Sequence, residues 1–224
     1  MKSINGVLFD LDGTLVDNFR AIYQAYLATA EEYRWETLLF ADLKKMIGGS
    51  AFLTLTRAWG EQRAKECFPS FRKHFQKLIF HKIKIYSGVQ NFIDELSQKG
   101  FKIAIYTNKH AVSARRIAEY LGWNQLFEQI LGAHDTDWIK PEPKLSAYLL
   151  GLMDLKPENT LMVGDSPYDS ETAHKAGMLS WNVTTGTHSR KELENSDYPP
   201  HEIFVNMEAL RNAFFKESDL GLSI

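Results

Sequence analysis

Val7-Leu8-Phe9-Asp10-Leu11-Asp12-Gly13-Thr14-Leu15-Val16-Asp17 decides the reading: three apolar residues run straight into an acidic turn. The same design recurs twice. Ile103-Ala104-Ile105-Tyr106 runs into Thr107-Asn108, and Leu161-Met162-Val163 runs into Gly164-Asp165. Runs this short and unbroken predict strands buried on both faces, as in parallel sheets covered by helices on either side. Leu179 to Val183 and Ile203 to Val205 read as further strands, and Phe127 to Leu131 as a sixth.

Helical spacings separate these runs. Ile93 and Leu96 place one helix, and Val112, Ala114, Ile117, Ala118 and Leu121 form the stripe of a second, with Gly122 as its stop. Glu142 to Met153 and Ser170 to Lys175 give two more, the last ended by Gly177. This alternation from about residue 90 onward predicts an α/β fold with a doubly wound, Rossmann-like parallel sheet. The stretch from Asn18 to Tyr86 breaks the alternation and reads as helix throughout, through Ala21, Tyr26 and Ala30 and later Phe68, Phe71, Phe75, Leu78 and Ile79. The expected organisation is a sheet domain from residues 1–16 and 87–224, with an inserted all-helical domain over 17–86.

The 224 residues carry 26 Lys+Arg against 28 Asp+Glu, a formal net charge of −2. That balance gives no global attraction to nucleic acid or to an anionic membrane. One cysteine, Cys67, excludes an internal disulfide and a multi-cysteine zinc site. Asp10 interrupts the first apolar run, so the start does not read as a secretory leader, and no apolar run approaches membrane-spanning length. The expected setting is cytoplasmic, with a monomer or homodimer equally compatible with the sequence. Between Glu61 and Lys84, seven Lys/Arg face two Glu; this reads as a solvated helix face, with steering of an anionic substrate as the alternative.

Ligands of open parallel sheets sit beyond the carboxyl ends of the strands, and the unusual polar residues fall there. Asp10 and Asp12 follow one strand, Thr107, Asn108 and Lys109 another, and Asp165 and Asp169 a third, while Lys140 stands in Lys140-Pro141-Glu142-Pro143 before a helix. Each has a plain reading: Asp12-Gly13 as a turn, Asp165 as a helix cap, Asp169 as a dipole partner, Lys140 as a solvated lysine. Those readings do not account for all of them landing in order after separate strands. If the four aspartates converge, two carboxylates about 4 Å apart repel by roughly 4 kcal/mol at an effective dielectric near 20, so the group calls for a cation. Oxygen ligands without His or Cys favour a hard ion, Mg²⁺ first. A Thr hydroxyl, an Asn amide, a Lys ammonium and a glycine-containing loop suit a phosphate beside it. Together these point to phosphoryl transfer through an aspartyl phosphate.

The same residues resemble the motifs of the haloacid dehalogenase superfamily, in the family's order and over essentially the whole chain. Asp10-Leu11-Asp12-Gly13-Thr14-Leu15-Val16-Asp17 resembles the first, Thr107-Asn108-Lys109 the second, Lys140-Pro141-Glu142-Pro143 the third, and Gly164-Asp165-Ser166-Pro167-Tyr168-Asp169 the fourth. The branch it is most similar to is the phosphoglycolate phosphatase-like group, which also holds β-phosphoglucomutases, and the inserted helices resemble that group's cap. The resemblance implies Mg²⁺ and a small phosphorylated metabolite. It makes Asp10 the nucleophile and Asp12 the acid and base, with the Asp12 backbone carbonyl also on the metal. Thr107 and the Asn108 backbone would hold the phosphoryl oxygens, Lys140 would offset their charge, and Asp165 would bind the metal. Asp169 would support the metal or hold Lys140.

Within the family, Asp12 argues against a dehalogenase or a phosphonatase, both of which depart from the Asp-x-Asp pattern. Mutases of the group carry an Arg after the cap-loop glycine; Ile47-Gly48-Gly49-Ser50-Ala51-Phe52-Leu53 has none, although Arg57 or Lys44 stands nearby. Hydrolysis is therefore expected, with mutase transfer and a non-catalytic phospho-ligand sensor as the alternatives. A protein phosphatase fits less well, since a lid obstructs a folded substrate. Gly48 and Gly49 read equally as a loop reaching into the site or as a turn between helices. Asp17 and Asn18 mark the hinge. Trp35, Trp59 and the Phe68, Phe71 and Phe75 stripe read as cap core, as does Cys67. His110 reads as a surface or supporting residue rather than an acid or base, and Asp135 and Asp137 as loop residues.

Overall fold

A computed structural model describes residues 4–219. The expected domain ends at 1–3 and 220–224, and with them the first residues of the leader argument, lie outside the described residues. The first three elements are β1 (Gly6–Phe9), β2 (Val16–Asp17) and α1 (Phe19–Tyr33). Next come α2 (Phe40–Met46), α3 (Ala51–Trp59), α4 (Glu61–Leu78) and β3 (Lys84–Ile85). The sheet layer continues through α5 (Val89–Gln98), β4 (Lys102–His110), α6 (Ala111–Tyr120), β5 (Gln129–Ala133) and α7 (Pro143–Leu152). It ends with β6 (Thr160–Gly164), α8 (Pro167–Ala176), β7 (Leu179–Val183), α9 (Arg190–Glu194), β8 (Glu202–Phe204) and α10 (Met207–Asp219).

Six strands form one parallel sheet in the order β5-β4-β1-β6-β7-β8. β1 lies in the middle, with Phe9 paired to Ile105 on one side and Val163 on the other. Successive side chains of a strand point to opposite faces, and both faces are covered. Val7, Phe9, Ile103, Ile105, Leu161 and Val163 join one apolar cluster with α5, α6 and α10. Leu8, Ala104, Tyr106 and Met162 join the other with α7 and α8. That two-sided burial is why the strands are apolar throughout, and it makes the sheet doubly wound. The strand order reverses around β1, so the loops after β1, β4 and β6 share one crevice.

The sixth expected strand begins two residues late. Phe127 packs edge-on against Phe9 and Trp123 in the core, and the ladder starts where Gln129 meets Ala104. β4 runs four residues past Tyr106 and changes register on the way to His110; an irregularity of this kind re-aims side chains at a strand end. α8 begins at Pro167 rather than Ser170, because Ser166 and Asp169 close a capping box around its first turn. Asp165 is therefore not the cap.

The segment from α1 to α4 is helical, as expected, but not throughout. It closes in the two-residue β3, which pairs antiparallel with β2 through Asp17 and Lys84. The chain thus leaves and re-enters the sheet layer at adjacent points. Trp59 stacks on Tyr26 at 4.4 Å and meets Trp35 edge-on, and Cys67 is fully buried among the helices. Most of the basic residues of α4 are exposed, as a solvated face requires. Among the described residues no helix is long and apolar enough to cross a membrane.

Candidate active site

The end of β4 and the segments that follow β1 and β6 meet at Lys140. Its ammonium is 2% exposed and donates to Asp10 Oδ1 at 2.9 Å and Asp169 Oδ1 at 2.6 Å. Asn108 fixes its backbone from both sides: Asn108 Oδ1 accepts from Lys140 N at 2.8 Å, and Asn108 Nδ2 donates to Lys140 O at 2.9 Å. Both ends of the Asn108 amide are thus engaged with the Lys140 backbone, which leaves one Nδ2 hydrogen and the Asn108 backbone for a phosphate. Thr107 is buried beside it, and its Oγ1 accepts from Lys109 N at 3.2 Å, leaving the hydroxyl hydrogen to donate elsewhere.

Asp169 is used up in a different way. Its Oδ2 accepts from the backbone of Asp165 and Ser166 and from Ser166 Oγ at 2.6 Å, while Oδ1 holds Lys140. Asp165 is held by Thr14 Oγ1 at 3.1 Å and by Thr187 N at 3.2 Å. Its surroundings leave no room for side chains. Gly13 adopts φ +92°, and a Cβ there would lie 2.6 Å from Asp165 Oδ2; a Cβ on Gly186 would lie 1.7 Å from the same oxygen. Thr185 Oγ1 donates to Gly13 O at 2.7 Å and ties the two loops together.

Asp12 faces Lys109, whose Nζ donates to Asp12 Oδ2 at 2.6 Å and lies over the Phe75 ring. Asp12 Oδ1 is buried without a partner. Nothing local in the sequence marks Lys109 as the partner of Asp12, although period-two alternation places residues 107 and 109 on one side of a strand.

One carboxylate oxygen from each of Asp10, Asp165 and Asp169 lies within 4.8 Å of the others. Asp12 is outside that set of side chains, and Asp169 stands in it. Burial pushes the Asp10 carboxyl up to about 6, with Asp169 and Asp12 adding to the rise and Lys140 opposing it. Burial raises Asp165 well above the ordinary carboxylate range, and Asp169 and Asp10 raise it further. Burial also opposes the Lys140 charge, but the carboxylates of Asp10 and Asp169 outweigh it and keep the ammonium protonated. With all four carboxylates ionised, the ammonium groups of Lys109 and Lys140 would leave two negative charges uncompensated. An all-oxygen donor set with that deficit fits a hard divalent cation.

Above the carboxylates lies a cavity of about 430 Å³, roofed by the helical segment. Gly48 and Gly49 line it. The Gly49 backbone lies against the Tyr168 ring, and Arg57 donates to the carbonyls of Met46 and Gly48 and to the Tyr168 hydroxyl. Phe68, Phe71 and Phe75 also line the cavity, so these rings are helical core and cavity wall at once. His110 lines it too, with Nε2 2.7 Å from Arg72 Nη2, and Arg72 is the lining residue among the basic residues of α4. Asp135 is held by Arg115 at 2.8 and 2.9 Å, and Asp137 is exposed.

A family model of haloacid dehalogenase-like hydrolases matches residues 7–183, which hold all four aspartates, Thr107, Asn108, Lys109 and Lys140. The chain belongs to the haloacid dehalogenase-like hydrolases. It is 30% identical over 207 residues to the pyrophosphatase PpaX of Bacillus mycoides, covering 92% of this chain and 95% of that one. The crystal structure of a predicted phosphoglycolate phosphatase from Haemophilus somnus superposes with a TM-score of 0.84 at 26% identity, covering 95% and 99% of the two chains. A haloacid dehalogenase-like hydrolase from Streptococcus pneumoniae shares the fold at a TM-score of 0.86 and 23% identity, over 96% of this chain and all of that one. The protein is accordingly a hydrolase of the phosphatase kind within this family.

Proposed function

We propose that this protein is a Mg²⁺-dependent phosphatase that hydrolyses a small phosphomonoester through an aspartyl phosphate on Asp10. The observation that carries the reading is the Lys140 ammonium bridging Asp10 and Asp169, with the Asp165 carboxylate beside them. An aspartate cannot approach a phosphate dianion unaided, because two anions repel; a fixed ammonium at 2.9 Å lowers that cost at the attacking group itself. Mg²⁺, held by Asp10, Asp165 and the Asp12 backbone with Asp169 in support, would supply the remaining positive charge and orient the phosphate.

Asp10 attacks phosphorus, and the bond from phosphorus to the leaving oxygen breaks. Asp12 gives its proton to that oxygen through Oδ1, the atom left without a partner, while Lys109 fixes Oδ2. Asp12 then takes a proton from water as the water attacks the phosphorus of the intermediate, releasing phosphate and restoring Asp10. Thr107 and the Asn108 backbone hold phosphoryl oxygens. Residues 17–86 act as the cap over a core of 1–16 and 87–224, with Gly48 and Gly49 at its inner edge. Hydrolysis is favoured over mutase transfer because Arg57 is spent on the cap loop's own carbonyls. The expected partner is a small phosphorylated metabolite in the cytoplasm, with neither nucleic acid nor membrane involved.

The test is Asp10→Asn assayed on a generic aryl phosphate in Mg²⁺ buffer. Phosphate release falls to background in the folded variant. Near-wild-type release removes the proposed nucleophile and the reading with it.

A further inference from the structure

We infer that the leaving group of the substrate is apolar: the enzyme prefers organic phosphomonoesters with a hydrocarbon or aromatic moiety over inorganic pyrophosphate or a short acidic ester. The inference rests on the phosphatase reading and names the substrate class of that same site. Its basis is the wall opposite the carboxylates. Phe19, Ile22, Phe52, Phe68, Phe71 and Phe75 line the cavity there. Phe52 meets Phe68 edge-on at 5.5 Å, and Phe71 lies parallel to Phe75 at 6.2 Å. The rings hold one another, so the wall is formed before a ligand arrives.

Charge tells the same story from the other side. Cleaving pyrophosphate delivers a second, multiply charged phosphate to the place where the leaving group sits, and an anion there needs donors. Three of the cations near the wall are engaged. Lys109 is paired with Asp12 at 2.6 Å, Lys140 with Asp10 and Asp169, and Arg57 with the carbonyls of Met46 and Gly48. Arg72 stands at an exposed edge with Nη2 turned to His110. Apart from that edge, the wall is mainly ring and alkyl carbon. A cavity of about 430 Å³ also leaves ample space beyond a phosphoryl group.

The experiment is a series of n-alkyl phosphates from ethyl to hexyl, with pyrophosphate and phosphoglycolate alongside, each assayed for phosphate release with Mg²⁺. The leaving-group pKa hardly changes along the alkyl series, so the chemistry is constant and only burial varies. kcat/KM should rise about fourfold per methylene, the value of a buried CH₂ expressed as a rate ratio. Because apolar contact is made equally in the ground and transition states, the rise is carried by KM rather than kcat. Phe68→Ser and Ile22→Thr should each flatten the slope. The slope is a ratio within one preparation, so a partly unfolded variant changes the intercept and not the slope. A flat or falling series in an enzyme that hydrolyses ethyl phosphate overturns the leaving-group inference and leaves the phosphatase reading standing. So does faster turnover of pyrophosphate or phosphoglycolate than of butyl phosphate. A slope unchanged in both variants overturns the assignment of the wall. No phosphate release from any substrate overturns the phosphatase reading itself.

Discussion

Asp10→Asn removes the proposed nucleophile, and in metal-free buffer it should also stabilise the fold. The Asp10 carboxyl sits at about 6 instead of the ordinary 3.8, because burial and neighbouring carboxylates disfavour its charge more than Lys140 favours it. A carboxyl raised in the folded state binds its proton more tightly there than in the unfolded chain. It therefore costs no stability below the unfolded value, and the cost grows as pH rises through the window from about 3.8 to about 6 and is complete above it. A difference of about two pKa units corresponds to about 3 kcal/mol at pH 7.5. Asparagine is neutral at every pH and mimics the protonated acid. In EDTA at pH 7.5 the variant should melt roughly 6–12 °C above wild type, at about 2–4 °C per kcal/mol for a chain of this size. At pH 5 about half of that gain should remain, and at pH 4 under about 1 kcal/mol, because wild type is then protonated too. Added Mg²⁺ should reverse the order by favouring the ionised carboxylate of wild type. Thermal melts at the three pH values, with and without Mg²⁺, supply the measurement. A variant that melts below wild type in EDTA at pH 7.5, or a gain that grows toward pH 4, would refute the crowded-carboxylate account.

Two further outcomes follow from the same geometry. Lys140→Met leaves Asp10 and Asp169 buried without their shared ammonium, so kcat should fall by about a hundredfold to a thousandfold and stability by about 3–5 kcal/mol; steady-state kinetics and urea titration check the two effects separately. Gly186→Ala places a methyl where a Cβ lies 1.7 Å from Asp165 Oδ2; calorimetric titration should show Mg²⁺ affinity weakened by about tenfold or more, as expected when the support of a metal ligand is disturbed.

The strands and the order of the site were legible in the sequence for one physical reason. A strand buried on both faces must be apolar throughout, so polar residues collect at its end, and Asp10, Thr107 and Asp165 announce themselves there. Strand pairing too short to build an apolar run left no such mark: β2 and β3 span two residues each, and β3 is exposed. α10 carries only a sparse stripe, with Met207, Leu210 and Phe214 buried at helical spacing along it. Partnerships between distant segments were beyond reach. Nothing local tells that the Asn108 amide clamps the Lys140 backbone, that Lys109 belongs to Asp12, or that Gly186 and Thr187 shape the pocket of Asp165. The Phe68, Phe71 and Phe75 stripe was legible as buried surface, but burial against helices and burial against a ligand cavity leave the same apolar spacing.

The central claim is that Asp10 carries the phosphoryl group, and the most direct test is chemical trapping during turnover. Wild-type enzyme turning over an aryl phosphate with Mg²⁺ is quenched and treated with borohydride, which reduces an acyl phosphate to the alcohol, and the peptides are mapped by mass spectrometry. The account predicts homoserine at residue 10 only in the presence of substrate. Reduction at Asp12, Asp165 or Asp169 instead, or none at any aspartate while phosphate is being released, would contradict it.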